Sequence, residues 1–220
     1  KDTAGNGLGG RLDLERIGLW GSSMAGGHVL VLASELGTGI KAIVSQSPHL
    51  DGRENRKQNM QPVSEGGRGL AGALRIARTA AMDIIRDILG MPAAYIPIIG
   101  YPGSVSLMPM PANEMQAYHR KHPAHRGGGW LNMAPARLAL KVGLYSPIDF
   151  VPNIVAPVLF VSAAKDTLCP ASRIAKAAAV CTSPGSETLS LDCTHFSIYY
   201  DEAFNQASQK MVHFFRKHFK

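Results

Sequence analysis

The feature that most constrains the fold is Ser23. A strand pattern ends just before this serine, and a helix pattern begins just after it. The apolar residues 17–20 precede it, and residues 28–33 continue the chain with helical apolar spacing. Its neighbours are small, in the order Gly21-Ser22-Ser23-Met24-Ala25-Gly26-Gly27. A strand that turns at once into a helix needs small neighbours, because the turn leaves no room for side chains. Such a turn exposes the serine hydroxyl and points the amide end of the helix at a bound group.

Strand and helix patterns alternate along the chain, which predicts an α/β protein with a mostly parallel sheet covered by helices. Four strands are predicted, at residues 16–20, 40–46, 158–162 and 187–192. A final helix is predicted over residues 201–219, with a buried stripe formed by Phe204, Ala207, Met211, Phe214 and Phe215.

About a hundred residues between the second and third predicted strands have a different character. Residues 68–89 predict an amphipathic helix that Gly90 ends, and its apolar face is formed by Leu70, Leu74, Ala77, Ala81, Ile84, Ile85 and Ile88. We interpret residues 52–150 as a helical cap inserted into a core made of residues 1–51 and 151–220. The methionines of this insertion suit either a lipophilic substrate or gap-filling in a core; they are Met91, Met108, Met110 and Met115.

The Gly-x-Ser-x-Ala run resembles the nucleophile elbow of the α/β-hydrolase superfamily, with Ala25 where glycine is commoner. A serine nucleophile needs an imidazole base, and the base needs an acid that fixes its tautomer. The resemblance implies the chain order nucleophile, acid, histidine, with the acid and the histidine in loops that follow strands. Asp166 follows the third predicted strand and His195 follows the fourth. We therefore expect a triad of Ser23, Asp166 and His195, and the amide of Met24 as a donor to the oxyanion.

Other polar residues near the predicted strand ends compete for roles in the site. The competing acids are Asp149, Asp192 and Asp201. Asp149 precedes the third strand, Asp192 is still on the fourth, and Asp201 is expected to cap the last helix. Ser22 is expected to point away from the turn.

Three further residues have weaker claims on the site. His28 is expected to be packed or to lie behind the nucleophile. His49 and Asp51 either line the pocket or are ordinary turn residues.

Residues 16–29, the Pro157–Pro170 region and the His195-Phe196 ending are similar to one branch of the superfamily. This branch holds dienelactone-hydrolase-like and peptidase-like enzymes and the fungal polyketide transferases. The resemblance implies acyl transfer from an ester, thioester or lactone through a serine ester, on a small polyketide-type substrate. Two alternatives stay open. A serine aminopeptidase would need a carboxylate that binds the free amine of its substrate, from Glu54, Glu65 or Glu114. A non-catalytic remnant would need no substrate.

The resemblance also implies strands and a second oxyanion donor ahead of the elbow. About sixteen residues precede the elbow strand here, too few for these parts. We therefore expect the sequence to be a fragment of a longer enzyme or a truncated gene product.

The composition and charge of the sequence limit the classes of partner and ligand that are expected. The net charge of +7 is spread along the chain, and the basic run at residues 119–122 carries no interleaved aromatics, so no nucleic-acid partner is expected. Pro123 breaks the helix that would align His119 with His122, and no carboxylate or cysteine completes a set with them and His125, so no metal site is expected there. No cofactor is expected either. No membrane span is expected, and a homodimer is compatible with the sequence. The three cysteines form no paired framework, which favours an intracellular, cytoplasmic setting; the C-terminus is not a peroxisomal Ser-Lys-Leu signal.

Overall fold

The computed structural model describes residues 13–65, 67–121 and 131–220, without the side chain of His119. Its strands, numbered in chain order, are β1 (Gly18–Ser22), β2 (Ala42–Gln46), β3 (Tyr95–Ile96), β4 (Ile99–Gly100), β5 (Met108–Pro109), β6 (Ala134–Pro135), β7 (Val158–Ala163) and β8 (Glu187–Leu191). Its α-helices are α1 (Met24–Leu36), α2 (Gly52–Met60), α3 (Gly69–Ile88), α4 (Ala112–Lys121), α5 (Leu138–Leu144), α6 (Ala171–Val180) and α7 (Asp201–His218).

The main sheet has four strands in the order β1-β2-β7-β8, and all of its pairs are parallel. The carboxyl ends of parallel strands lie at one edge of the sheet, where α/β proteins place their ligands. The loops that follow β1, β7 and β8 carry Ser23, Asp166 and His195. The topology therefore brings all three to the same edge.

Both faces of the central strands β2 and β7 are buried, as expected for a parallel sheet, whereas the edge strands β1 and β8 are partly exposed. Ile43 and Phe160 lie in one cluster with Leu30 of α1 and Ile174 of α6. The residues that alternate with them along the strands, such as Val44, lie in a second cluster with Met211 and Phe214 of α7. The period-2 alternation of a strand thus separates two cores, each covered by helices.

The described chain divides into two compact units. Unit 1 consists of the described residues up to Leu50 together with Ser146–Lys220, and unit 2 is Asp51–Tyr145. The 3₁₀ segment Pro147–Asn153 packs against α1 and belongs to unit 1, although the predicted insertion extends to residue 150.

Unit 2 is built around contacts among α2, α3 and α5. Its buried apolar cluster is small and consists of Ile76, Ile96 and Ala136. The carboxylate of Asp83 is buried in the same unit, where it accepts hydrogen bonds from the backbone amides of Ala94 (2.7 Å) and Arg137 (3.0 Å).

The structure contradicts the predicted faces of two helices. In α3 the buried residues are Gly72, Ile76, Ala80 and Asp83, whereas all seven residues of the predicted apolar face are exposed. The helix therefore turns its small residues and one carboxylate inward. In α7, Ala207, Met211 and Phe214 are buried as predicted, but Phe204 is half exposed.

Candidate active site

Ser23 is by itself the connection between β1 and α1, since β1 ends at Ser22 and α1 begins at Met24. Its backbone has φ 54° and ψ −120°, a conformation that non-glycine residues rarely adopt. Two hydrogen bonds hold it there. Its amide donates to the carbonyl of Gln46 (2.9 Å), and its carbonyl accepts from the amide of His49 (2.9 Å). The neighbouring strand thus stabilises the strained turn that presents the hydroxyl.

The small residues around Ser23 are explained by close backbone contacts. A Cβ atom on Gly21 would lie 2.2 Å from the carbonyl oxygen of Ala25, and one on Gly27 would lie 2.4 Å from that of His49. Neither oxygen belongs to a movable side chain. Any larger residue at these two positions would force the strand and the helix apart.

Ser23, His195 and Asp166 form one hydrogen-bonded chain. His195 Nε2 lies 3.1 Å from Ser23 Oγ, and His195 Nδ1 lies 2.7 Å from Asp166 Oδ2. The histidine and the aspartate are buried, while the serine is half-buried. The structure therefore brings together the three residues that the sequence had singled out, in hydrogen-bond contact and in the predicted order.

The surroundings of Asp166 decide which nitrogen of His195 carries the proton. Asp166 Oδ1 accepts two backbone hydrogen bonds, from Leu168 (2.8 Å) and Cys169 (2.7 Å). Both oxygens of Asp166 thus act as acceptors, Oδ1 toward the backbone and Oδ2 toward the imidazole. The proton between the two side chains therefore belongs to Nδ1 of His195. Its Nε2 then has a free lone pair directed at the hydroxyl of Ser23.

A second polar group, which the sequence did not reveal, lies next to the turn. Ser22 Oγ is 2.5 Å from the hydroxyl of Tyr199 and accepts a hydrogen bond from Gln46 Nε2 (3.1 Å). Tyr199 ends the 3₁₀ turn Ser197–Tyr199, which closely follows His195. Burial raises the pKa of Tyr199, and hydrogen bonds to Ser22 and Gln46 partly oppose this effect. The phenol is therefore protonated at neutral pH and ties the histidine loop to β1 and β2.

The amide of Met24 lies at the start of α1, the helix that follows Ser23. The first amides of a helix have no acceptor within the helix, and they carry its positive end. A developing negative charge beside Ser23 would find a donor there.

The three competing acids are all exposed, whereas His195 is buried and its Nδ1 contacts Asp166. Asp192 is 78% exposed in its side chain and pairs with Lys165 at 2.9 Å. Asp149 is exposed. Asp201 is the first residue of α7, and the N-cap is Tyr200, so the expectation that Asp201 caps this helix is wrong.

The weaker candidates also have defined positions. His28 is exposed, so the expectation that it is packed is wrong. His49 is buried in unit 1, and its backbone amide supports the turn. Asp51 caps α2 by accepting from the amides of Arg53 and Glu54, at 3.0 and 3.2 Å.

The remaining predicted features concern unit 2 and the cysteines. Glu54 pairs with Lys57 at 2.7 Å, and Glu65 is exposed. One carboxylate oxygen of Glu114 is buried.

His122, His125 and the side chain of His119 lie outside the described residues. All three cysteines are unpaired. Within the described ranges, every helix is too short or too polar to cross a bilayer.

Comparison with known proteins agrees with this architecture. The chain is 28% identical over 207 residues to quorum-quenching protein AidA of Acinetobacter baumannii (strain MDR-ZJ06), covering 94% of this chain and 63% of AidA. The crystal structure of the alpha/beta hydrolase GrgF from Penicillium sp. sh18 matches with a TM-score of 0.68 at 18% identity, over 94% of this chain and 65% of GrgF. A monoacylglycerol lipase from Paleococcus ferrophilus matches with a TM-score of 0.63 at 15% identity, over 93% of this chain and 69% of the lipase. No model of a protein family matches the sequence.

The chain spans less than two thirds of the length of AidA and of GrgF. The matches cover almost all of this chain, however. The chain therefore has the α/β-hydrolase fold.

Proposed function

We propose that the chain is the catalytic part of a serine-dependent hydrolase or acyltransferase, with Ser23 as nucleophile, His195 as base and Asp166 as the acid that orients it. The observation that carries the proposal is the hydrogen-bonded chain from Asp166 through His195 to Ser23, with contacts of 2.7 and 3.1 Å. This chain activates a hydroxyl that is otherwise a poor nucleophile at neutral pH.

The proposed reaction has two steps, acylation of Ser23 and deacylation. Ser23 Oγ attacks the acyl carbon while its proton passes to Nε2 of His195, and Asp166 stabilises the imidazolium that results. The imidazolium then gives the proton to the leaving alcohol, thiol or ring oxygen, which leaves Ser23 acylated. In the second step water or another hydroxyl gives its proton to Nε2 as it attacks the ester, and the imidazolium returns this proton to Ser23 Oγ as the acyl product leaves.

The negative charge on the carbonyl oxygen develops next to the start of α1. We assign the backbone amide of Met24 as a donor to this oxyanion. Losing a single donor of this kind costs about 10² to 10³ in rate in a comparable serine hydrolase, so the position of Met24 relative to Ser23 is decisive. A substitution by proline at Met24 would remove the donor outright.

The substrate class that we propose is a small ester, thioester or lactone. The narrower assignment to a polyketide-type molecule is supported by the similarity of residues 16–29 to the fungal polyketide transferase branch. AidA is named for quorum quenching, so signal molecules that contain an ester or a lactone belong to the same substrate panel.

A turnover panel tests the proposal. The full chain and its Ser23→Ala variant are compared on nitrophenyl esters of increasing acyl length, on aliphatic lactones, on acyl thioesters and on aminoacyl anilides. Turnover of the first three classes that disappears in Ser23→Ala supports the proposal. Turnover confined to the anilides would replace it by an aminopeptidase. A folded chain that turns over none of them would indicate a non-catalytic domain.

A further inference from the structure

One buried group next to the proposed machinery has no part in the mechanism above. The thiol of Cys169 lies beside the carboxylate of Asp166 and the imidazole of His195, and one ligand atom from each residue lies within 4.8 Å of the others. All three residues are buried, and Cys169 is in no disulfide. The mechanism uses two of these side chains and leaves the thiol without a task.

The three groups together have the chemistry of a cation site. Thiolate, imidazole and carboxylate are the three side-chain ligands of zinc, which also accepts a water molecule in a fourth position. Burial, reinforced by the charge of Asp166, raises the pKa of the Cys169 thiol, so the thiol is neutral when no cation is present. A divalent cation balances the two negative charges that a carboxylate and a thiolate bring together.

Binding of an ion requires the three side chains to rearrange. Two ligands about 2.0 Å from a tetrahedral zinc ion lie about 3.3 Å apart. His195 Nδ1 and Asp166 Oδ2 are now 2.7 Å apart. Their separation must therefore grow by roughly half an ångström. The Cys169 sulfur belongs to a group whose ligand atoms lie within 4.8 Å of one another, and it must come to about 3.5 Å from each of the other two ligand atoms.

We infer that Asp166, Cys169 and His195 form an inhibitory site for Zn²⁺ and similar thiolate-binding divalent cations. On binding, the Cys169 thiol loses its proton to solvent and its sulfur ligates the ion. The proton on Nδ1 of His195 is replaced by the metal, and Nε2 takes up a proton in its place. One proton is released in total, and no group is oxidised or reduced.

Inhibition follows from the tautomer that the ion imposes. With the metal on Nδ1, Nε2 of His195 carries a hydrogen and becomes a donor to Ser23 Oγ. It can no longer accept the serine proton. The inhibitory consequence rests on the proposed function, whereas the binding itself does not.

Binding is measured directly on the full chain, without reference to activity. Zn²⁺ is titrated in competition with a chromophoric chelator, and Cd²⁺ is titrated while the near-ultraviolet thiolate-to-metal absorbance is recorded, with incubation long enough for a buried site to fill. We expect one tight equivalent per chain. Because losing even an outer partner of a ligand weakens metal binding about 10- to 100-fold, we expect Cys169→Ser to bind at least about 100-fold more weakly. Cys181→Ser is the matched control, since Cys181 is also unpaired, and it should bind like the wild type.

The inhibitory consequence is tested in parallel with a fluorophosphonate probe. Zn²⁺ should slow labelling of Ser23 in the wild type and in Cys181→Ser, and each variant is compared with its own metal-free rate. Cys169→Ser should lose this sensitivity. Tight binding that persists in Cys169→Ser, or no binding at all, overturns the site. Failure of the metal-free wild type to label at Ser23 contradicts the proposed function instead, while the absorbance titration still decides the site.

Discussion

The two units of the chain are stabilised in different ways. In unit 1 the central strands of the sheet are buried on both faces, with large side chains such as Phe160 and Phe214 fully enclosed. In unit 2 the buried apolar cluster is small, and the long helix α3 exposes its largest apolar residues. Dense packing fixes positions, so unit 1 can hold Ser23, His195 and Asp166 at hydrogen-bond distances.

Unit 2 relies more on polar attachments between distant segments. Asp83 accepts backbone amides from residues 94 and 137. Asn132 pairs with both the amide and the carbonyl of Ile99, each at 2.9 Å. Arg68 is buried and donates to the carbonyls of Ser106 and Leu107, and burial lowers its pKa to about 10. Such bonds specify one arrangement, but they bury little apolar surface.

The largest effect is expected within unit 1, where the proposed chemistry lies. Asp166→Asn should lower kcat by about 10⁴-fold, because an amide favours the wrong tautomer of the histidine even when the geometry is kept. Asp192→Asn is the matched control, since Asp192 is exposed and paired with Lys165, and it should stay near the wild-type rate. Ester turnover by the purified variants measures both. Equal losses in the two variants would contradict the assignment of the acid.

Two leucine truncations compare the packing of the units directly. Leu30 is 0% exposed in unit 1, and Leu74 is 63% exposed on α3 of unit 2. Leu30→Ala should lower the free energy of unfolding by about 2 to 5 kcal/mol, and Leu74→Ala should change it by no more than about 0.5 kcal/mol. Urea titrations followed by circular dichroism give both values. A large loss in Leu74→Ala would show that this face of α3 is covered in solution.

A smaller effect is expected from the polar group beside the turn. Tyr199→Phe removes one hydrogen bond to Ser22, and we expect kcat to fall about three- to tenfold, the equivalent of one such bond. We expect KM to change less, because Tyr199 acts by positioning the histidine loop. Tyr95→Phe in unit 2, where Tyr95 is 53% exposed, is the control. An unchanged kcat in Tyr199→Phe would mean that this contact serves only stability.

The smallest effect concerns an ion pair at the edge of unit 1. Lys210 and Lys217 lie 2.5 and 2.7 Å from the carboxylate of Glu187 and hold its pKa down to about 2, below the ordinary 4.5. A lowered pKa stabilises the fold above pH 4.5, and this contribution is lost as the pH falls toward 2. Because both lysines are partly exposed, Glu187→Gln should cost only about 0.5 to 1 kcal/mol at pH 7. Urea unfolding at several pH values should show the difference from wild type shrinking below pH 4.5; a constant difference would contradict it.

The sequence predicted unit 1 better than unit 2, for physical reasons. The central strands of unit 1, β2 and β7, are buried on both faces, and apolar runs such as residues 158–161 reveal them. The three site residues each follow a strand of the sheet, so the parallel topology together with the chain order that the resemblance implies predicted their meeting. In α3, periodicity found the helix but not its buried face, because Asp83 has partners 11 and 54 positions away.

The contact of Tyr199 with Ser22 escaped prediction for a similar reason. The two residues are 177 positions apart, and neither belongs to a motif with a known spacing. Positions in a tight turn leave a local signal in the sequence, such as the small residues around Ser23. A side-chain hydrogen bond between distant loops leaves none.

The central claim is that the turn at Ser23 presents an activated nucleophile. Reaction of the folded chain with a fluorophosphonate probe, followed by peptide mass spectrometry, tests this claim most directly. We predict a single adduct on Ser23 that forms in the wild type, is absent from Ser23→Ala and is strongly slowed in His195→Ala. A folded wild-type chain that stays unlabelled at Ser23, or that labels equally fast without His195, would contradict the account.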